Sequence, residues 1–214
     1  MDFLFIAIEL CRASLADVIS RPDHRDQWKD IATSLDPKRA LEEIALGLDH
    51  LHYLNVVHRD IKPPNILIAG PQRTRNGKDT YRMLISDFGI CKKLDDEQTS
   101  FFPTTHQTLA GTRGWLAPEL LSITSEKGSV DDYLVVEGVV GHGKLTKSLD
   151  IFPLGCVFYY TLTKGRHPYG RDFERDVNIL MNRKKMSGLE ELGEEGRKAR
   201  DLITKMLNPG PSQR

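Results

Sequence analysis

Apolar positions in this chain fall into a few compact blocks, and their spacing sorts the blocks into elements. Phe3-Leu4-Phe5-Ile6-Ala7-Ile8-Glu9-Leu10 is a nearly unbroken apolar run, too short for a helix of ordinary length, and reads as a buried strand reached within two residues of the start. Asp36-Pro37, an N-cap residue followed by proline, opens a segment in which Leu41, Ile44, Ala45, Leu48 and Leu51 recur at helical spacing. A helix with one face on a core is therefore predicted there. Ile66-Leu67-Ile68 and Met83-Leu84-Ile85 are short apolar strands on either side of a polar stretch from Gly70 to Thr80, the pattern of a hairpin with a long tip. Asp95 to Gln107 and Ser122 to Lys147 show no sustained periodicity and are expected to be mobile loops. After Leu149 the pattern turns helical again, first in a buried segment through Leu162, with Pro153 expected early enough in that helix for its missing N–H to be tolerated. An amphipathic segment follows, carrying Ala199, Leu202, Ile203, Met206 and Leu207. With no internal repeat, these elements predict one α+β domain, mostly helical with a few short β-hairpins.

Composition narrows the partners. The 214 residues carry 30 Lys and Arg against 30 Asp and Glu, so no global field gathers nucleic acid or anionic lipid, and neither is expected to contact this segment. Cys11, Cys91 and Cys156 are odd in number, far apart and free of a C-x-x-C pair. That argues against a disulfide framework or a zinc knuckle and for a reducing compartment. The longest apolar run, Ile151 to Leu162, is shorter than the roughly 20 residues a bilayer needs, and Met1-Asp2 lacks a basic n-region, so neither a membrane span nor a signal peptide is expected.

The chemistry is concentrated in two motifs. His58-Arg59-Asp60-Ile61-Lys62-Pro63-Pro64-Asn65 matches H-R-D-(L/I)-x-x-x-N, and Asp87-Phe88-Gly89 follows after one hairpin. Asp60 alone would read as a helix cap. Joined to Lys62, Asn65 and Asp87 at these spacings, it belongs to a set suited to phosphoryl transfer, which needs a carboxylate at the attacking hydroxyl, a cation on the phosphate and oxygen ligands for Mg²⁺. In that set Asp60 accepts the proton of a substrate hydroxyl, Lys62 neutralises charge on the transferred phosphate, and Asn65 and Asp87 hold Mg²⁺. Gly111-Thr112-Arg113-Gly114-Trp115-Leu116-Ala117-Pro118-Glu119 supplies an A-P-E element, which makes residues 87–119 an activation segment. Gly138-Val139-Val140-Gly141-His142-Gly143-Lys144-Leu145 nearly spells a phosphate-binding loop, but Leu145 stands where a magnesium-binding hydroxyl is required, and it reads as part of a variable insert over 122–147.

With these motifs in order, the chain resembles the eukaryotic protein kinases, which implies the α+β kinase fold, ATP and Mg²⁺ as cofactors, and a non-specific serine/threonine protein kinase activity. The resemblance further implies that Thr112 touches Asp60 and Lys62, that Glu119 pairs with Arg214, and that Asp150 is a buried helix-start carboxylate tying down the catalytic loop. Ser86-Asp87-Phe88-Gly89-Ile90-Cys91-Lys92-Lys93-Leu94, Trp115, Gly155-Cys156-Val157-Phe158-Tyr159-Tyr160 and Gly165-Arg166-His167-Pro168-Tyr169-Gly170 together look like the inositol-requiring enzyme family of unfolded-protein-response sensors. By that resemblance, Glu9-Leu10-Cys11 is the hinge whose backbone meets adenine, and Leu67 lies under the base. On the residues alone, Glu9 and Cys11 equally suit an unremarkable strand end. The family also implies a parent protein on the cytosolic face of the endoplasmic reticulum membrane, a C-terminal endoribonuclease domain, pairing of kinases, and a second copy as protein substrate. Arg59 beside Asp60 signals control by a phosphate on the activation segment, with Ser100, Thr104, Thr105 and Thr108 as acceptors and Ser100 favoured.

Ahead of Glu9 the sequence holds no Gly-rich loop, no strand lysine and no partner glutamate, and it stops at Arg214. Residues 1–12 are accordingly expected to be the last strand and hinge of a largely absent N-lobe, and residues 13–214 the C-lobe of a fragment. Such a piece would be inactive alone and aggregate through Phe3 to Ile8. Retention of Asp60, Lys62, Asn65 and Asp87 favours an enzyme, whereas the missing roof leaves a non-catalytic docking module as the alternative.

Overall fold

Ser14 and Asp17 open the helical part of the molecule. In this computed structural model, which describes residues 9–20, 27–73, 77, 79–95, 100–101, 111–125 and 145–214, the Ser14 hydroxyl donates to the Asp17 carboxylate at 2.6 Å and accepts the Asp17 N–H at 3.2 Å. This reciprocal box ends strand β1 (Ala13–Ser14) and starts helix α1 (Leu15–Ser20). Helix α2 (Lys29–Ser34) follows, and then α3 (Pro37–Tyr53), whose start is the one the sequence predicts: the Asp36 carboxylate accepts the Lys38 N–H at 3.0 Å and Pro37 stands at the first position. Ala40, Leu41, Ile44 and Leu48 bury the inner face of α3, with Ala45 and Leu51 half-buried at its margins.

Strand β2 (Val56–Val57) leads into the candidate loop, which ends in a 3₁₀ turn over Pro63–Asn65. The predicted hairpin is present and longer than its apolar cores, with β3 (Ile66–Arg73) antiparallel to β4 (Asp79–Ile85) in the register Ile66↔Ile85, Leu67↔Leu84 and Ile68↔Met83. The register shifts between Ala69 and Gln72, where Gly70 takes a φ of +119° and a Cβ would stand 3.2 Å from the Thr80 carbonyl oxygen. β1 pairs with β3, giving a three-stranded sheet in the order β1-β3-β4. Glu43 of α3 accepts the Met83 N–H at 2.8 Å, so the hairpin edge is tied to the helix.

Strand β5 (Lys92–Lys93) pairs with β2, and β6 (Ser100–Phe101) lies in the stretch expected to be a loop. Helix α4 (Pro118–Ser125) includes Ser122, the residue at which a second loop was expected to start. Strand β7 (Leu145–Thr146) closes the insert and pairs antiparallel with β6, Phe101 and Leu145 both being buried. Both departures have one cause: a two-residue strand and the second turn of a short helix carry too few residues for a period to show. Helix α5 (Ser148–Leu162) is buried nearly all round. Pro153 is its sixth residue, past the first turn, so α5 forgoes the bond that an N–H there would make to Leu149. Helices α6 (Arg175–Leu180) and α7 (Gly193–Met206) are the remaining α-helices among the described residues. On α7 and its end Ile203, Met206 and Leu207 are buried, while Leu202 is exposed. The apolar run Phe3 to Ile8 and the sequence Gly138 to Lys144 lie outside the described residues.

Glu119, at the start of α4, meets Arg214 at 2.6 Å, and the guanidinium also lies 5.6 Å from the Phe152 ring centroid. Burial pushes the Glu119 carboxyl up, and Arg214 opposes that shift. Arg214→Ala would leave this carboxylate inside without its cation. The expected loss is about 3–5 kcal/mol of unfolding free energy by urea titration, and a loss below about 1 kcal/mol would show that the pair does not hold α4 to the chain end.

Candidate active site

The loop between β2 and the hairpin is held from below by one buried carboxylate. Asp150, in the first turn of α5, accepts the His58 N–H at 2.8 Å, the Arg59 N–H at 2.7 Å and a bond from His52 Nε2 at 2.9 Å. It is fully buried, as its place in the resemblance requires. Arg59 takes a φ of 73°, unusual for a residue with a side chain, and the two amide bonds to Asp150 bracket that turn. The buried His58 ring accepts the Asp60 N–H at Nδ1 (3.2 Å), which assigns the proton to Nε2, 2.9 Å from the Ser86 carbonyl oxygen. Asp60 is thus presented upward by a short turn whose own polar groups are satisfied.

Around the Asp60 carboxylate three side chains close. Lys62 Nζ donates to Oδ2 at 2.6 Å and to the Thr112 hydroxyl at 2.5 Å, and that hydroxyl donates in turn to Asp60 Oδ1 at 2.7 Å. Asn65 Nδ2 donates to Asp60 Oδ2 at 3.0 Å and to the Asp60 carbonyl oxygen at 2.9 Å. Thr112 reaches the loop from 52 residues away because Gly111, at φ +127°, lets the chain approach: a Cβ there would sit 2.5 Å from Leu116 Cδ2 and 3.0 Å from the Arg59 carbonyl oxygen. Just beyond, Asp176 of α6 accepts the Gly114 N–H at 2.7 Å and pairs with Arg113 at 2.7 Å, fixing this segment to the helix.

Burial by itself would raise the Asp60 carboxyl, but hydrogen bonds from Lys62 and Thr112, the Lys62 charge and the Asn65 bond together outweigh it and hold Asp60 below the ordinary carboxylate range. A depressed folded-state value stabilises the fold above the unfolded-state value, and this contribution is lost as pH falls through the folded-state value. Lys62→Met removes both a bond and a charge and leaves burial less opposed. The variant is therefore expected to lose stability less steeply than wild type in acid titrations below about pH 4, and parallel curves would count against the assignment.

Asp87 follows Ser86, whose N–H and hydroxyl both donate to the Asn65 carbonyl oxygen, at 2.9 and 3.0 Å. That contact brings Asp87 alongside Asn65 with an exposed carboxylate and a left-handed φ of 66°, although no hydrogen bond among the described residues joins the carboxylate to Asp60, Lys62 or Asn65. No group of three His, Cys, Asp or Glu suited to a metal occurs among the described residues. Asn65 and Asp87 offer one amide oxygen and one carboxylate, a pair whose chemistry suits Mg²⁺, an ion that keeps several waters and completes its shell with substrate phosphates.

Along the same sheet, Arg12 N–H donates to the Ile68 carbonyl oxygen at 2.8 Å, so Glu9, Leu10 and Cys11 enter the sheet just ahead of β1, whose Ser14 pairs with the half-buried Leu67. Arg82 of β4 holds the Glu9 carboxylate. Ser100 lies half-buried in β6, and the Arg59 guanidinium stands 5.9 Å from the ring centroid of its neighbour Phe101. Thr104, Thr105 and Thr108 lie outside the described residues.

Sequence reasoning missed His52, the His58 ring, Arg82 and Asp176. His58 stands inside the loop motif, which gave no role to its ring; the other three are single polar residues without a spacing signature, and only the packing of distant elements gives them partners. The nearest legible signal was His52, at the inward end of α3, but its partner is 98 residues away.

The fold and this carboxylate cluster agree with what comparison finds: the protein kinase domain family matches residues 1–214, and the chain belongs to it. Serine/threonine-protein kinase/endoribonuclease ireA of Aspergillus fumigatus is 44% identical over 224 residues, covering 99% of this chain and 19% of that protein. Similarity extends to the sensor for unfolded proteins in the ER ire1 of Schizosaccharomyces pombe, 42% identical over all of this chain and 19% of its own length. The human serine/threonine-protein kinase/endoribonuclease IRE2 is 41% identical, again over the whole chain and 20% of its own length. The chain thus spans about a fifth of the length of these curated relatives. Protein kinases in general use ATP and Mg²⁺.

Proposed function

We propose that this chain carries the catalytic half of a serine/threonine kinase cleft and transfers the γ-phosphoryl group of ATP to protein Ser or Thr hydroxyls. The observation that carries the reading is the Asp60 carboxylate held at once by Lys62, Asn65 and Thr112. In the step, the acceptor hydroxyl oxygen bonds to the γ-phosphorus while its proton passes to Asp60, and the bond from that phosphorus to the bridging oxygen breaks with ADP as leaving group. Lys62, already beside Asp60 and Thr112, balances charge on the transferred group. When bound, Mg²⁺ neutralises the phosphates; Asn65 and Asp87 are the residues that would hold it. Backbone groups of Glu9 to Cys11 would meet the adenine edge, with Leu67 beneath the ring.

The relatives' names support a stress-sensing setting: a kinase facing the cytosol at the endoplasmic reticulum membrane, acting on a second copy of itself, in a parent that also carries an endoribonuclease. Ser100 is the favoured acceptor in its own activation segment. No helix among the described residues is long and apolar enough to cross a membrane. Incubation of the intact protein with Mg²⁺ and γ-labelled ATP tests the reading. Label on serine or threonine is expected, with a rate that rises with protein concentration; absence of any transfer to itself or to a general acceptor protein would overturn it.

A further inference from the structure

Residues alternate across the central sheet. Ile66, Ile68 and Met83 are buried on the face toward the helices, whereas Leu67, Arg82 and Leu84 share the other face and are only half-buried. On that second face one guanidinium nitrogen of Arg82 lies 2.8 Å and 3.0 Å from the two carboxylate oxygens of Glu9. Arg82 sits on the outer strand β4, across β3 from the chain that enters β1, so its side chain bridges the sheet to reach Glu9.

Among the described residues, the bridge falls on a segment with little else to hold it. Leu10 is 92% exposed, and the side-chain contact of Cys11 among the described residues is a long one from its thiol to the Glu9 carbonyl oxygen, at 3.8 Å. Among the described residues, positions 9–11 are therefore restrained at one end by the Arg12 main-chain bond to Ile68 and at the other by Arg82. A three-residue stretch fixed at both ends has its N–H and C=O groups aimed; fixed at one end, it samples several directions and an incoming base must select among them.

We infer that Arg82, acting through Glu9, is a positioning residue for the adenine seat: it sets the direction of the 9–11 backbone where that segment enters the sheet. This rests on the kinase reading above. The pair is half-exposed, so its effect is modest, and loss of it is expected to weaken adenine binding about two- to fivefold. Because Arg82 is remote from Asp60, Lys62 and Asn65, groups that contact the phosphates should be unaffected.

The test is equilibrium binding to the intact protein of three probes in the presence of Mg²⁺: adenosine, ADP and inorganic tripolyphosphate. Arg82→Met keeps the apolar stem and removes the charge, Glu9→Gln keeps the shape of the partner, and the exchange Glu9→Arg with Arg82→Glu restores an opposite-charge pair. Both single variants are expected to bind adenosine and ADP more weakly by the same factor, with tripolyphosphate unchanged and affinity recovered in the exchange. Equal affinities in wild type and both single variants would overturn the inference, as would a loss shared by tripolyphosphate or one not recovered by the exchange. Should Arg82→Met fail to fold, as judged by thermal melting, Glu9→Gln decides alone. Failure of wild type to bind either adenosine or ADP would instead overturn the kinase reading on which the inference rests.

Discussion

Asp60→Asn is expected to lower the turnover number for phosphoryl transfer by about 10²–10⁴-fold, the usual contribution of a positioned proton acceptor, while leaving the KM for ATP within about twofold. Asparagine is nearly isosteric and its oxygen still accepts from Lys62, so the cluster of Lys62, Asn65 and Thr112 should stay assembled. What disappears is the negative charge that those three groups hold below the ordinary carboxylate range. The distinction between losing charge and losing architecture is the point of the substitution. Initial rates with a protein acceptor at saturating ATP provide the measurement, and Thr112→Val, which deletes one bond and leaves the carboxylate, should cost only about tenfold. A turnover number for Asp60→Asn within tenfold of wild type would remove Asp60 from the proton-transfer role and with it the central claim of the mechanism.

The second large effect is expected one layer below. Asp150→Ala deletes the acceptor for the buried His58 and Arg59 amides and for the half-buried His52 ring. Each buried donor left without a partner costs about 1–3 kcal/mol, so the variant should lose more than about 3 kcal/mol in urea titration. Asp150→Asn retains one acceptor oxygen and should lose less. Because the same two amides bracket the left-handed Arg59, relaxation of that turn should displace Asp60. Transfer activity is therefore expected to fall in Asp150→Ala even at temperatures where melting shows the protein folded. Stability within about 1 kcal/mol of wild type, with activity intact, would show that the loop holds its shape without the carboxylate.

How much of this could be read before the structure depends on sequence distance. Asp60, Lys62 and Asn65 lie within six residues of one another, and their hydrogen bonds are local, separated by two and five positions. A turn of such short span is dictated by its own residues, so the spacing of the motif carried the geometry with it. The start of α3 was legible for the same reason, since Asp36 caps an N–H only two residues ahead. The hairpin followed from two apolar triplets, because facing strands joined by one turn bury the same side of the chain.

Contacts made over tens of residues were another matter. Thr112 on Asp60, Asp150 beneath the loop and Arg214 on Glu119 entered only through likeness to the kinases, and each joins residues more than 50 positions apart. Arg82, Asp176 and His52 had no signature, because a lone polar residue on a strand or helix looks like any solvated position until another element covers it. The β6–β7 ribbon was unreadable because two residues cannot display an alternation, and it is pairing across the insert that makes strands of them. Leu202 marks the converse, an apolar position at helical spacing that nothing among the described residues buries. The sequence by itself determined the local turns, the helix faces and the identity of the reactive groups, since these depend on neighbours along the chain. Only the tertiary structure decided which carboxylate anchors the loop, which residue reaches Glu9 and which apolar side chains stay in water, because those are settled by which elements pack against each other.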